Sequence, residues 1–192
     1  MQKDISAFFS VQNHSKNANN ANNANNANNA NNANNANNAN NVNINVYTDG
    51  ACSNNGKRSA KAGWGVYFSE NSHLNSYGKI DGKQTNQVAE LTAVIKAYKI
   101  LENEIVKNTH ITIYSDSIYA IRCSTTYGAK LEKICWIKKK PIPNVQLVKK
   151  AYYLFKNKPH IKFIHIKAHT GKQDQHSLGN VGADKLANIA IG

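Results

Sequence analysis

Acidic residues are scarce in this 192-residue chain: 11 Asp and Glu stand against 24 Lys and Arg, a formal charge of +13 at pH 7. Residues 1–41 contribute only Lys3, Lys16 and Asp4 to that balance, so residues 42–192 carry 22 basic against 10 acidic side chains, or +12. An excess of that size on one domain points to a polyanionic partner. An acidic lipid surface fits less well, because no basic amphipathic helix with an aromatic face is visible. Cysteine is scarce too. Cys52, Cys123 and Cys135 are odd in number and lack metal-ligand spacing, which argues against a disulfide scaffold or a zinc site and for reduced intracellular thiols. No signal-peptide apolar core and no run long enough to span a bilayer is present, so the expectation is a soluble intracellular protein without a membrane partner.

Residues 17–41 lack everything except Asn and Ala, largely in an Asn-Asn-Ala repeat. With no apolar face to bury, this stretch is expected to be a disordered linker. A period of three is also too short for a solenoid unit. The organisation expected is therefore an N-terminal peptide over 1–16, the linker over 17–41, and a folded domain over 42–192.

Within that domain Val42, Ile44 and Val46 alternate with Asn43, Asn45 and Tyr47, which predicts a strand ending near Asp49. A turn rich in Gly, Ser and Asn follows to Lys61. Strands are predicted over 64–68 and, more weakly, 73–80. Thr85 or Asn86 is placed to cap a helix with Val88, Leu91, Val94, Ile95, Tyr98 and Leu101 on one face. A fourth strand holds Ile111 and Ile113 and runs into Ser115-Asp116. Short helices are predicted over 117–124 and 130–138, a longer one over 144–157, a fifth strand over 160–167 and a last helix from about Val181 to Ile189. This order implies an α/β fold: a mixed five-stranded sheet, three antiparallel strands then parallel ones, with helices on both faces.

Four carboxylates fall where strand ends and helix faces can bring them together: Asp49, Glu90, Asp116 and Asp184. Each taken singly has a bland reading, since an Asp-Gly at a strand end is more often a turn than a ligand. If they converge they repel and require cations, and hard oxygen ligands of this kind select magnesium or manganese.

The local text then becomes specific. Tyr47-Thr48-Asp49-Gly50-Ala51-Cys52-Ser53-Asn54-Asn55-Gly56 resembles the first-strand motif of type 1 ribonuclease H. Gly82-Lys83-Gln84-Thr85-Asn86-Gln87-Val88-Ala89-Glu90 resembles the second motif of that family, and Tyr114-Ser115-Asp116-Ser117 the third. His169-Thr170-Gly171, with Gly179-Asn180 and Ala183-Asp184, resembles the last. The four occur in the family's order over about 150 residues. The resemblance implies the RNase H-like fold and a metal-dependent endonuclease that cuts the RNA strand of RNA–DNA hybrids, leaving 5′-phosphate and 3′-hydroxyl ends. It also implies two magnesium ions, replaceable by manganese. Asp49 would bridge both, Glu90 and Asp116 would complete one site and Asp184 the other. His169 matches a mobile histidine tied to water delivery or product release, although a histidine after a strand is more often structural or merely exposed. The chain departs from the pattern here, with Lys172-Gln173-Asp174-Gln175-His176 as an insertion and Val181 and Gly182 at often acidic positions.

The same resemblance assigns 2′-hydroxyl sensing in the minor groove to Asn55, Asn86 and Gln87. It assigns a pocket for a DNA phosphate to Lys83, Thr85 and Asn144, and sugar contacts on the DNA strand to Tyr119 and Tyr127. For Asn144 a helix cap is the weaker alternative, while the two tyrosines read equally as helix packing. Lys138-Lys139-Lys140, near Trp136, stands where many relatives carry a basic protrusion, and reads nearly as well as a solvated turn. At the N-terminus Gln2, Ile5, Phe8 and Phe9 match the sliding-clamp-binding peptide of many replication proteins. In that mode an aliphatic and an aromatic side chain fill one apolar pocket while Gln hydrogen-bonds beside it. Together these imply replication-linked primer or hybrid removal by a monomer, in the nucleus or a viral replication compartment, otherwise in the cytoplasm. Two other classes compete: a resolvase- or integrase-like relative acting on DNA, and a catalytically dead hybrid-binding adaptor. The 83–87 segment with Asn55 argues against the first, and four intact carboxylates against the second. A free-standing domain is expected rather than part of a reverse transcriptase, because no polymerase-like region precedes it, and nothing resembles the small hybrid-binding domain of nuclear relatives.

Overall fold

A computed structural model describes residues 43–192; the expected clamp-binding peptide with Gln2, Ile5, Phe8 and Phe9, the Asn/Ala stretch and Val42 lie outside the described residues. The elements in chain order are β1 (Asn43–Ser53), β2 (Lys61–Tyr67), β3 (Ser76–Lys79), α1 (Asn86–Ile100), α2 (Glu102–Val106), β4 (His110–Ser115), α3 (Ile118–Ser124), α4 (Thr126–Lys133), α5 (Val145–Phe155), β5 (Ile161–His165) and α6 (Gln175–Ile189). They form the expected sheet, in the order β3-β2-β1-β4-β5. The β1–β2 and β2–β3 pairs are antiparallel, and β1–β4 and β4–β5 are parallel. As the central strand β1 is buried on both faces, so apolar Ile44, Val46 and Tyr47 run straight into buried Thr48 and Asp49.

Register and glycine position the helices. Thr48 pairs with Ser115 in the parallel β1–β4 ladder, so Asp49 and Asp116 are the next residues on two adjacent strands. On one face α1 lies against β1 at Gly50, where a Cβ would stand 2.6 Å from the carbonyl carbon of Ala89; only glycine lets the helix approach this closely. On the opposite face α6 lies against β2, where a Cβ on Gly65 would meet Ala187 N at 2.7 Å.

Several boundaries differ from the sequence-based expectation. β1 continues past Asp49 to Ser53 because β2 pairs with it as far as Ser53↔Lys61. The turn is therefore confined to 54–60, with Asn54 and Gly56 at positive φ (50° and 84°). The second short helix spans Thr126–Lys133 rather than 130–138, and is followed by two left-handed residues, Cys135 and Trp136, which helical backbone cannot include. The last helix begins at Gln175, six residues before Val181, because Asp174 caps it by accepting from His176 N (3.1 Å) and Ser177 N (3.0 Å). The inserted segment is thus partly helix.

Candidate active site

The ligand oxygens of Asp49, Glu90 and Asp116 lie within 4.8 Å of one another. Strand register sets Asp49 beside Asp116, and the close approach at Gly50 brings in Glu90 from α1. Each carboxylate is held by a neighbour. Asp49 Oδ1 accepts from Gly50 N (2.7 Å), Glu90 Oε1 from Asn86 Nδ2 (3.4 Å) and Asp116 Oδ2 from Asn180 Nδ2 (2.9 Å). Asp184, on α6, lies outside that three-way cluster but close enough to raise the pKa of Asp49 through charge and hydrogen bonding. Its Oδ1 accepts from Asn188 Nδ2 (2.9 Å).

Burial and like charge act together here. The Asp49 carboxyl is pushed up to about 7, first by burial and then by Asp116 and Asp184, against the opposing Gly50 hydrogen bond. Glu90 is pushed well above the usual carboxylate range by burial and by the charges of Asp49 and Asp116. Glu90 Oε2 is buried with no hydrogen-bond partner among the described residues. Acids gathered out of water without a cation resist ionising, and a polar atom left unpaired costs free energy. A divalent ion answers both conditions, and an all-oxygen donor set suits magnesium or manganese.

The remaining sequence-predicted residues are dispersed around this centre. His169 is exposed between β5 and α6, in the left-handed region at φ 48°. Asn55 and Asn86 meet, since Asn55 Oδ1 accepts from Asn86 N (3.3 Å). Lys83 and Gln87 are exposed near the start of α1. Thr85 Oγ1 caps α1 by accepting from Val88 N (3.4 Å), which leaves its hydroxyl proton free to donate. Asn144 precedes α5 in a left-handed conformation (φ 52°) and its side chain does not cap the helix. Asn144 Nδ2 instead donates to the Tyr119 hydroxyl (3.4 Å), whose pKa burial raises to about 12. Lys138 Nζ stands 5.7 Å from the Tyr127 ring centroid and Lys149 Nζ, on α5, 5.4 Å from that of Trp136, so one lysine of the basic run and one of α5 each face an aromatic ring.

Two functional contributors carried no role in the sequence reading. Asn180 is buried and orients Asp116; its only signal was its place in the Gly179-Asn180 motif. Gln84 fastens the approach to α1, with Oε1 accepting from Ala62 N (2.6 Å) and Nε2 donating to Ile80 O (2.7 Å). Nothing in spacing singles it out.

Residues 40–191 match the family model described as RNase H. The chain is 32% identical over 148 residues to Ribonuclease H1 of Homo sapiens, an alignment covering 75% of this chain and 48% of that protein. It therefore spans about half the length of the mammalian relatives it matches. Against Ribonuclease H of Clostridium botulinum it is 32% identical over 151 residues, covering 77% of this chain and 95% of the relative. Among solved structures it is similar to the PFV RNase H domain, with a TM-score of 0.60 and 26% identity over 77% of this chain and 93% of the other. It is also similar to LC11-RNase H1 in complex with RNA/DNA hybrid, with a TM-score of 0.53 and 26% identity over 77% and 96%.

Proposed function

The chain belongs to the RNase H family, and on that footing we propose that it hydrolyses the RNA strand of RNA–DNA hybrids with the help of two divalent ions. The observation that carries this reading is the convergence of Asp49, Glu90 and Asp116, with buried Glu90 Oε2 lacking a partner among the described residues. A hybrid-binding adaptor has no use for three acids held this close.

Asp49, Glu90 and Asp116 would hold one ion, and Asp49 with Asp184 a second. Magnesium there, or manganese in its place, would lower the pKa of an attacking water and offset negative charge on the phosphate and the departing 3′ oxygen. The protein's own part is to fix the acids: Asn180 turns Asp116, Gly50 N–H fixes Asp49 and Asn86 reaches Glu90. Asn55, Asn86 and Gln87 are read as the polar group facing the RNA 2′-hydroxyls. Lys83, Thr85 and Asn144 are read as the grip on the DNA strand, with Tyr119 and Tyr127 against its sugars. Capping uses the Thr85 hydroxyl only as an acceptor, so its proton is left to donate to a phosphate oxygen. His169 is read as assisting water delivery or product release. Residues 2–9 are read as a sliding-clamp ligand, placing the nuclease in replication-linked hybrid removal as a monomer.

The test is a labelled RNA–DNA hybrid beside matched double-stranded DNA and RNA, with magnesium and with chelator. Hybrid alone should be cut, in the RNA strand, leaving 5′-phosphate and 3′-hydroxyl ends. Cleavage of double-stranded DNA instead would move the protein to the DNA-acting relatives. No metal-dependent cleavage of any duplex would favour the adaptor.

A further inference from the structure

The inserted segment contributes a residue that the site description does not use. The His176 ring stacks on Tyr114 with centroids 4.3 Å apart and planes at 27°, and Tyr114 stacks on Tyr47 at 5.0 Å and 21°. His176 Nδ1 also shares a 3.1 Å hydrogen bond with the Tyr47 hydroxyl. Tyr47 and Tyr114 precede Asp49 and Asp116 by two residues on neighbouring strands, and alternate residues of a strand share a face. His176 is therefore bound to the layer of side chains next to the acids.

From there a line of hydrogen bonds runs into the loop that carries His169. Ser177 Oγ donates to Asp174 Oδ2 (2.8 Å), which spends its one proton. The 2.9 Å contact between Thr170 Oγ1 and Ser177 Oγ must then be donated by Thr170, leaving Thr170 Oγ1 to accept Lys172 N at 3.3 Å. At the other end of the loop Ile166 N donates to Ser115 O (3.1 Å). The loop is fastened at both ends to the strands bearing the acids, and His169 lies between, in a left-handed conformation that its surroundings must maintain.

We propose that His176 is a positioning residue for His169: by mooring the start of α6 to Tyr47 and Tyr114 it holds the His169 loop over the acid cluster. This rests on the hybrid-cleavage reading and deepens it. The insertion is then a mooring that compensates for the extra loop length separating His169 from Asp184.

The test uses the full chain, a short RNA–DNA hybrid and magnesium. His176→Ala should lower kcat roughly fivefold or more with KM changed less than about twofold, because a loosened loop misplaces His169 after substrate is bound. Amide hydrogen exchange across 167–174 should accelerate in the same variant, a readout that needs no activity. His176→Asn keeps a hydrogen-bonding atom close to the Nδ1 position and should recover a large part of the lost kcat. Since His176 acts through His169, adding His176→Ala to His169→Ala should cost no further rate. If the double variant instead falls below His169→Ala by the full factor, or if loop exchange is unchanged, the proposal is overturned. Should His176→Ala fail to fold, Tyr47→Phe removes the hydroxyl that meets His176 Nδ1 and carries the comparison by the same criteria. Wild-type protein that cleaves no hybrid would defeat the proposed function, whereas cleavage with additive variants would defeat only the mooring.

Discussion

Asn180 Nδ2 donates a 2.9 Å hydrogen bond to Asp116 Oδ2 from a buried position on α6, while Asn180 Oδ1 finds no partner among the described residues. One amide thus fixes which oxygen of Asp116 is left to face Asp49 and Glu90. Groups that orient a ligand typically matter about 10- to 100-fold in metal affinity or activity. Asn180→Ala should raise the magnesium concentration for half-maximal cleavage by roughly tenfold, with part of the rate restored at high magnesium. An unchanged magnesium profile would mean that Asp116 holds its orientation unaided.

The acid cluster predicts a pH dependence opposite to that of an ordinary surface carboxylate. Asp49 is raised in the folded protein to about 7, by burial first and then by neighbouring acids, from an ordinary value near 3.8. Between those values the folded state holds a proton that the unfolded chain has lost. Its contribution is full below about 4 and disappears as pH rises through about 7. Glu90 is shifted in the same direction for the same reasons. Metal-free protein should therefore melt several degrees lower at pH 8 than at pH 5, and magnesium should restore most of the difference at pH 8. Asp49→Asn should flatten the metal-free profile and leave less than about a tenth of the cleavage rate, a loss of at least roughly 1.4 kcal/mol of transition-state stabilisation. Thermal melts across this range check the sign directly; a midpoint rising with pH in chelator would contradict it.

Asp49, Glu90 and Asp116, the three acids that converge, are legible because each sits in a motif, and the strand and helix order, α2 excepted, follows from hydrophobic periodicity. What draws them together is less legible. The register Thr48↔Ser115 and the Gly50 contact with α1 are tertiary facts, and neither leaves a trace in spacing. The early start of α6 was hidden for a related reason. Ser177, Gly179 and Gly182 look like loop residues because glycine disfavours helix. Gly182 is small because a Cβ there would stand 2.7 Å from the Tyr67 ring. Asn144 illustrates the limit from the other side: its type fits a cap, but its backbone conformation turns the side chain toward Tyr119.

Gly179 permits a stability test in which two effects oppose each other. Alanine should favour an exposed helix by about 1 kcal/mol over glycine. The added methyl would, however, collide with the Tyr47 ring, which is itself buried beneath Tyr114 and His176. Overpacking of this kind costs about 1–3 kcal/mol, so the clash should win. Gly179→Ala is expected to destabilise the protein by up to about 2 kcal/mol in urea unfolding. A stabilised variant would mean that α6 can shift away from β1 at little cost.

Residues 2–9 offer a test that is independent of the catalytic domain. Gln2, Ile5, Phe8 and Phe9 follow the spacing of the clamp-binding peptide, and in that binding mode the apolar side chains carry the affinity while Gln supplies a directional contact. Large aromatic anchors dominate such interfaces because they bury the most apolar area. Replacing both Phe8 and Phe9 with Ala should therefore abolish binding to a ring-shaped clamp. The same change should leave cleavage of short free hybrids unaltered, because Asp49, Glu90, Asp116 and Asp184 all lie outside that segment. Replacing Gln2 alone should weaken binding without abolishing it. Calorimetry of a synthetic 1–16 peptide against the host's clamp isolates the interaction, and hybrid cleavage on clamp-loaded DNA, compared between wild type and the double Phe variant, measures its consequence. Absence of heat at high micromolar peptide, with no rate difference on loaded DNA, would remove the clamp from the account of this protein and leave the acid cluster's chemistry untouched.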